Sequence, residues 1–86
     1  MHVTIEALIE PTKGGVSARG VQLGLAVRGR QPIDAIERLG RTAEAWCYGL
    51  DALGLLPAAL DRLGIKWDAA GERITVEVKS QPVTPS

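Results

Sequence analysis

The stretch LGLAVRGRQPIDAIERLGRTAEAWCYGL, residues 23–50, changes its apolar repeat at Pro32. Before Arg28, apolar residues alternate with small or polar ones, a period of two that is typical of a strand with one buried face. After Pro32, apolar residues recur at intervals of three and four, which predicts a long amphipathic helix. Proline suits the first helical position, because its missing N–H would have no partner there. The apolar stripe of this helix comprises Ile36, Leu39, Ala43, Trp46, Leu50 and Leu53.

Three glycines mark positions along this helix. Gly54 follows the last apolar residue and is the expected stop. Gly40 and Gly49 lie inside the helix, where each costs about 1 kcal/mol relative to alanine. They could let another backbone approach closely.

Two more strands are predicted around a glycine-rich turn. Residues 3–10 alternate as a first strand, and residues 10–15 (EPTKGG) form a turn. Residues 16–19 form a second strand, and a third alternating set covers residues 21–27. Glycines between these sets predict a bulge or tight bend. One long bent strand is the alternative.

The C-terminal third predicts a short helix and one or two strands. Pro57 opens the helix and Gly64 ends it. Its inward residues are Leu56, Leu60 and Leu63. Residues 65–67 could start a strand, and residues 73–78 alternate as the last strand.

The resulting order, β-β-(β)-α-α-β, predicts a two-layer α+β fold. A mostly antiparallel sheet of three to four strands carries one long and one short helix. We expect a single domain over residues 1–80 and a flexible C-terminal tail over residues 81–86. The other sheet face is half polar, and free edge strands usually need cover. A partner or a second copy is the simplest cover, and a dimer or higher homo-oligomer is expected.

Composition narrows the classes of function. Ten basic residues balance ten acidic ones, which disfavours direct contact with nucleic acid or an anionic membrane. The single cysteine, Cys47, leaves no internal disulfide and no zinc pattern. The first ten residues alternate and do not resemble a signal peptide. These features predict a cytoplasmic protein without a cofactor or metal.

One segment, GGVSARGVQLGLAVRGRQPIDAIERLGRTAEAWCYGL, carries a family resemblance over residues 14–50. Its quartets Gln22-Leu23-Gly24-Leu25, Gly29-Arg30-Gln31-Pro32 and Ile33-Asp34-Ala35-Ile36 stand where that family has ELPGL, GDT with its following residue, and EEAL. The segment is similar to the HicB-like antitoxin domain, and the similarity extends over roughly residues 3–53. Val16 replaces the aromatic residue of the family's second strand, and the usual Glu pair at the helix start is missing.

The resemblance implies a partial ribonuclease-H-like sheet with a helix and a terminal strand. It implies a non-enzymatic protein-interaction domain of a toxin–antitoxin system, which would bind and neutralise a small toxin ribonuclease. Residues 54–86 show no DNA-binding segment of the kind that full-length antitoxins use on their operator, so the toxin-docking part of the family is expected. The alternatives are a stand-alone homo-oligomeric scaffold or regulatory protein and, less favoured, a small-ligand-binding protein.

Four residues are candidates for partner binding: Arg19, Arg28, Arg30 and Trp67. Arg28 and Arg30 flank Gly29 near the start of the helix, where they could hold an acidic partner or a phosphate. The plainer interpretation is a polar turn whose arginine stems cover the helix end. Trp67 is expected in the core or at an interface.

Catalytic groups are not expected. Glu6 and Glu10 share a strand face but lie about 13 Å apart, too far to share one ion. His2 has no nearby ligand set in the sequence, and Cys47 has no histidine but His2 to activate it. A buried small hydrophobic residue is the favoured interpretation of Cys47.

Overall fold

The alternating N-terminal residues form a three-stranded antiparallel meander. The computed structural model describes residues 1–82. The strands of the meander are β1 (His2–Thr12), β2 (Gly15–Gly20) and β3 (Leu25–Gly29). Thr12 pairs with Gly15, so a two-residue turn joins β1 to β2. Gly14 in this turn has a φ of 89°, a left-handed conformation that glycine adopts without strain.

The second and third strands are separate elements. Residues 21–24 form a turn, and Gly24 has a φ of 68°. The tight bend is therefore confirmed, and one long bent strand is wrong. The third strand starts at Leu25 and not at Val21, because the Val21 N–H still donates to the carbonyl of Glu6 on β1 at 3.0 Å.

β1 is the central strand of a five-stranded sheet. β5 (Thr75–Pro82) pairs with it in parallel from residue 2 to residue 9. β4 (Lys66–Asp68) pairs with residues 2–4 of β1, and β2 pairs with residues 7–12. Because both pairings overlap that of β5, β2 and β4 share one edge of β1 and β5 takes the other. Three of the four pairings are antiparallel, so the predicted α+β class is confirmed. The sheet has five strands where three to four were predicted, because the short strand β4 also pairs with β1.

The N-terminus is tied to the start of β5. The Met1 ammonium donates to the carbonyl oxygens of Gly71 at 3.1 Å and Arg73 at 2.9 Å. The Thr75 N–H in turn donates to the Met1 carbonyl at 2.9 Å.

The last strand is longer than the sequence predicted. Its ladder continues to the pairs Leu8–Gln81 and Ile9–Pro82, so β5 passes the predicted domain boundary at residue 80. Residues 83–86 of the predicted tail lie outside the described residues.

Two helices connect the meander to β4. They are α1 (Pro32–Ala52) and α2 (Leu56–Leu63). The predicted start at Pro32 is confirmed, and Gly54, with a φ of 71°, turns the chain out of α1 as expected. The Leu55 N–H donates to the Leu50 carbonyl at 2.9 Å, which satisfies a carbonyl that a helix end leaves open.

The buried stripe of α1 is narrower than predicted and runs at a spacing of four. It consists of Ala35, Leu39, Ala43 and Cys47, with Trp46 and Leu50 half-buried beside it. Ile36 is only partly buried and Leu53 is 71% exposed. Leu53 follows the last helical residue, where the chain turns away from the sheet.

α2 buries Leu56 and Leu60, but Leu63 is exposed, contrary to prediction. It stands at the last turn beside Gly64, whose φ of 71° directs the chain toward β4.

The core lies between one face of the sheet and the helices. Its buried residues are Val3, Ile5, Ala7, Ala18, Ala35, Leu39, Ala43, Cys47, Leu56, Leu60, Ile65 and Ile74. Among residues 1–80, whose burial the structure describes, every buried side chain is apolar or cysteine, so packing of aliphatic side chains is the main stabilising term.

Leu39→Ala tests this core. Leu39 is 0% exposed, so its truncation should lower the free energy of unfolding by about 2–5 kcal/mol. Leu53→Ala is the matched control and should change it by about 0.5 kcal/mol or less. Urea denaturation followed by circular dichroism measures both. Equal effects of the two substitutions would contradict the buried position of Leu39.

Candidate functional site

A cleft opens where the β1–β2 turn, the end of β3 and the first turns of α1 meet. We call it the basic cleft; its volume is about 300 Å³ and its lining residues are Thr12, Lys13, Gly14, Gly15, Arg28, Gly29, Arg30 and Arg38. Four of these residues carry a positive charge, and none carries a negative one.

Two glycines let the walls of the basic cleft come together. A Cβ on Gly15 would lie 2.4 Å from the carbonyl oxygen of Gly29, and a Cβ on Gly29 would lie 2.6 Å from the backbone nitrogen of Ala35. Both neighbours are backbone atoms, which cannot rotate aside. The turn, β3 and α1 therefore meet at a distance that only glycine permits.

The helix glycines do not have this role. The nearest atom to a Cβ on Gly40 would be a methyl of Val78 at 3.6 Å, an ordinary contact with a side chain. A Cβ on Gly49 would meet nothing within 4 Å. Within the described part of the chain, no second backbone approaches α1 at either position.

The basic cleft contains two of the four predicted partner-binding residues. Arg28 and Arg30 lie on either side of Gly29, as the sequence implied. Lys13 and Arg38 join them and were missed. Arg38 is held there because its guanidinium donates to the carbonyl of Arg28 at 3.3 Å.

The missed residues had no clear sequence signal. Lys13 comes near β3 only through the register that pairs Thr12 with Gly15 and Val16 with Gly29. The register is the set of residues that face each other across the meander, and it cannot be read from the spacing of residues along the sequence.

Arg19 does not line the basic cleft. Its guanidinium lies 3.4 Å from the Glu10 carboxylate on the sheet face that the helices leave open. Both side chains are about half exposed, so this pair adds little to stability. Arg19 therefore lies outside the basic cleft, although it shares the open sheet face with Arg28, its diagonal neighbour across the β2–β3 ladder.

Trp67 is also apart from the basic cleft. It lies on β4, half-buried against the core, and its indole N–H donates to a carboxylate oxygen of Asp61 at 2.9 Å. This bond ties β4 to α2, a role that an amphipathic aromatic residue performs well.

The open face of the sheet carries His2 between two acids. The imidazole lies 3.9 Å from Asp68 and 3.8 Å from Glu77. Glu6 and Glu10 extend along the same strand face. Within residues 1–82, no three side chains of the metal-binding types come together as a metal site.

A second surface lies at the other end of α1. We call it the apolar groove; it has a volume of about 250 Å³ and is lined by Leu50, Leu55, Ala58, Ala59 and Arg62. Leu55 in this lining is 52% exposed. Leu53 and Leu63, which are close to the lining residues along the sequence, are also exposed. Water-exposed leucines in such a number on one short stretch are typical of an interaction surface.

The solvent side of α1 carries both acidic and basic residues, with Arg38 and Arg41 exposed, and its three exposed acids lie in one line. Glu37, Glu44 and Asp51 are all exposed and are seven residues apart, so they lie along one line of the helix. Arg41 and Tyr48 are exposed between them. We call these five residues the acidic stripe.

Cys47 is a buried thiol. It is 1% exposed, and burial, with a smaller contribution from the charge of Glu44, raises the pKa of Cys47 to about 11. A neutral thiol is a poor nucleophile. The interpretation of Cys47 as a small buried hydrophobic residue agrees with this position.

The Cys47 thiol should therefore resist modification. At pH 8 an aromatic disulfide reagent should label the folded protein at least about 100-fold more slowly than the denatured protein, because labelling must wait for opening. Absorbance of the released thiolate measures the rate. Equal rates in the two states would place the sulfur at the surface.

The raised pKa also predicts a pH dependence of stability. The thiol of the unfolded chain ionises near its ordinary pKa of about 8.5, whereas the folded thiol ionises near 11. The neutral Cys47 thiol contributes fully to the free energy of unfolding below the pKa of the unfolded chain. This contribution is lost as the pH rises toward the pKa of the folded state. Between about pH 8.5 and pH 11, the free energy of unfolding of the natural protein should therefore fall more than that of Cys47→Ala. Urea denaturation measures both, and the variant serves as the control for the other titrating groups.

Gly29→Ala tests the junction that forms the basic cleft. The added Cβ meets the backbone of Ala35, so the substitution should cost about 1–3 kcal/mol of unfolding free energy. Gly49→Ala is the control and should add about 1 kcal/mol, because its Cβ has open space in a helix. Thermal denaturation measures the stability of both variants. A Gly29→Ala protein more stable than the natural one would mean that β3 and α1 do not pack closely at Gly29.

Comparisons with known proteins complete the description of these surfaces. No family model, no curated protein and no solved structure matches this chain. Neither helix of the described residues is long and apolar enough to cross a membrane. The functional assignment therefore depends on the surfaces described above and on the resemblance carried by residues 14–50.

Proposed function

We propose that this chain is a non-enzymatic protein-interaction domain of the HicB-like antitoxin type, which binds a small basic toxin ribonuclease and blocks it. The observation that carries the proposal is the exposed side of α1, where the acidic stripe leads toward the apolar groove. Three carboxylates and one guanidinium lie on this stripe. Such a surface is complementary in charge to a basic protein.

The leucines at the end of α1 supply the second component of such an interface. Interfaces combine an apolar centre with a charged or polar rim. Leu53 and Leu55, both more than half exposed, would be the apolar centre. Tyr48, exposed on the acidic stripe, is a residue type that interfaces favour.

The element order supports the same proposal. Three antiparallel strands are followed by a long helix, and a terminal strand returns beside β1. A sheet with a helix and a terminal strand is what the resemblance implies.

The test is purification of the tagged chain from its native cell. We expect a small basic protein to copurify, and we expect that protein to degrade RNA when freed and to stop when this chain is added back. A copurifying protein without ribonuclease activity would overturn the toxin assignment.

Charge reversal on the acidic stripe then tests the surface. Glu44→Lys combined with Asp51→Lys should weaken binding of the toxin by about tenfold or more, because close charge pairs across an interface contribute strongly. Glu6→Lys combined with Glu72→Lys makes the same change in net charge elsewhere and is the control. Surface plasmon resonance measures both, and equal weakening would mean that only net charge matters.

A stand-alone homo-oligomer is the second candidate. The apolar groove favours it, since exposed leucines also suit a second copy of the same surface. In that case light scattering shows a stable dimer or larger assembly, Leu53→Asp dissociates it, and no heterologous protein copurifies.

A further inference from the structure

The basic cleft holds more positive charge than its own side chains neutralise. Lys13, Arg28, Arg30 and Arg38 line it from the β1–β2 turn, β3, the β3–α1 junction and α1. Among the side chains that the structure describes, none of these four lies within 4.0 Å of a carboxylate; the ion pairs found there involve His2 and Arg19. Like charges gathered in a concave site repel one another and attract an anion.

The concave shape is built and not incidental. Gly15 and Gly29 bring the three segments to within contact distance, and the bond from Arg38 to the Arg28 carbonyl holds one guanidinium at the wall. The fold therefore brings the backbones of these residues together and holds the Arg38 guanidinium in place, which lowers part of the cost of arranging cations around a ligand.

The lining selects the kind of anion. Its side chains are basic, a threonine and glycines, without an aromatic or aliphatic residue. Guanidinium groups bind phosphate oxygens in a bidentate manner. A volume of about 300 Å³ matches the lower end of small-molecule sites. The absence of a stacking surface in this lining disfavours both a nucleobase and single-stranded nucleic acid as the main contact.

We propose that the basic cleft binds the diphosphate group of a small molecule, held by Lys13, Arg28, Arg30 and Arg38. The group comes either from free pyrophosphate or from a phosphorylated metabolite such as a nucleoside diphosphate. The cleft shares no residue with the acidic stripe or the apolar groove, so this site stands independently of toxin binding.

Isothermal titration calorimetry at low ionic strength tests the proposal with pyrophosphate, inorganic phosphate and ADP. Pyrophosphate should bind more tightly than phosphate, because it reaches more of the four cations. Rising salt should weaken both. Tighter binding of ADP than of pyrophosphate identifies a nucleotide as the source, and the reverse order identifies the free anion.

The decisive variant combines Lys13→Gln with Arg30→Gln. Neither side chain makes a hydrogen bond or ion pair with another described side chain, so folding should be intact, and a thermal melt checks it. The affinity for pyrophosphate should fall at least about tenfold. Arg41→Gln combined with Lys66→Gln removes the same charge outside the basic cleft and should change the affinity less than about twofold.

Three results would overturn the proposal. The first is no binding of pyrophosphate at millimolar concentration. The second is equal weakening by the cleft variant and its control, which would indicate a diffuse charge effect. The third is tighter binding of a single-stranded RNA oligonucleotide than of pyrophosphate, which would assign the cleft to a nucleic-acid backbone.

Discussion

The first strand exchanges hydrogen bonds along both of its edges, with β2 and β4 on one side and β5 on the other. Its inward residues Val3, Ile5 and Ala7 belong to the core that packs between the sheet and the helices, and are shielded from water. Every other element is placed relative to this strand: the meander extends one edge, and β5 completes the other. The helices must cross the sheet to deliver β5, and this crossing brings the buried stripe of α1 over the core.

Small side chains decide how closely α1 packs on the sheet. Ala35 and Ala43 are fully buried on the helix, while Ala18 and Gly20 are buried on β2. Leu39 fills the space that these small residues leave, since it lies near the position of a Gly20 Cβ. The close packing extends to the β3–α1 junction at Gly29. Small side chains therefore allow both the tight core and the close approach of backbones that shapes the basic cleft.

Sequence periodicity predicted the elements better than their arrangement. Pro32 and Gly54 bounded α1 because caps and breakers act locally. The stripe through Ile36 and Leu53 was misplaced because several apolar residues follow a helical spacing, and only packing selects those that face the sheet. Arg28 and Arg30 could be proposed together because they are neighbours along the chain, whereas Lys13 and Arg38 depend on strand register and helix placement. Trp67 was grouped with them by residue type and lies on β4, away from the basic cleft, whereas Arg19 lies on the sheet face beside Arg28 but does not line the cleft.

The parallel partner of β1 has a consequence for biosynthesis. β5 comes from the last described residues of the chain, more than 70 positions after the residues that it accompanies. While the ribosome is still making the helices, one margin of the nascent sheet has no neighbour and can recruit a strand from another molecule. Contacts so distant along the polypeptide also form slowly. The yield of native protein in the cell should therefore depend on how soon β5 is synthesised and pairs with β1.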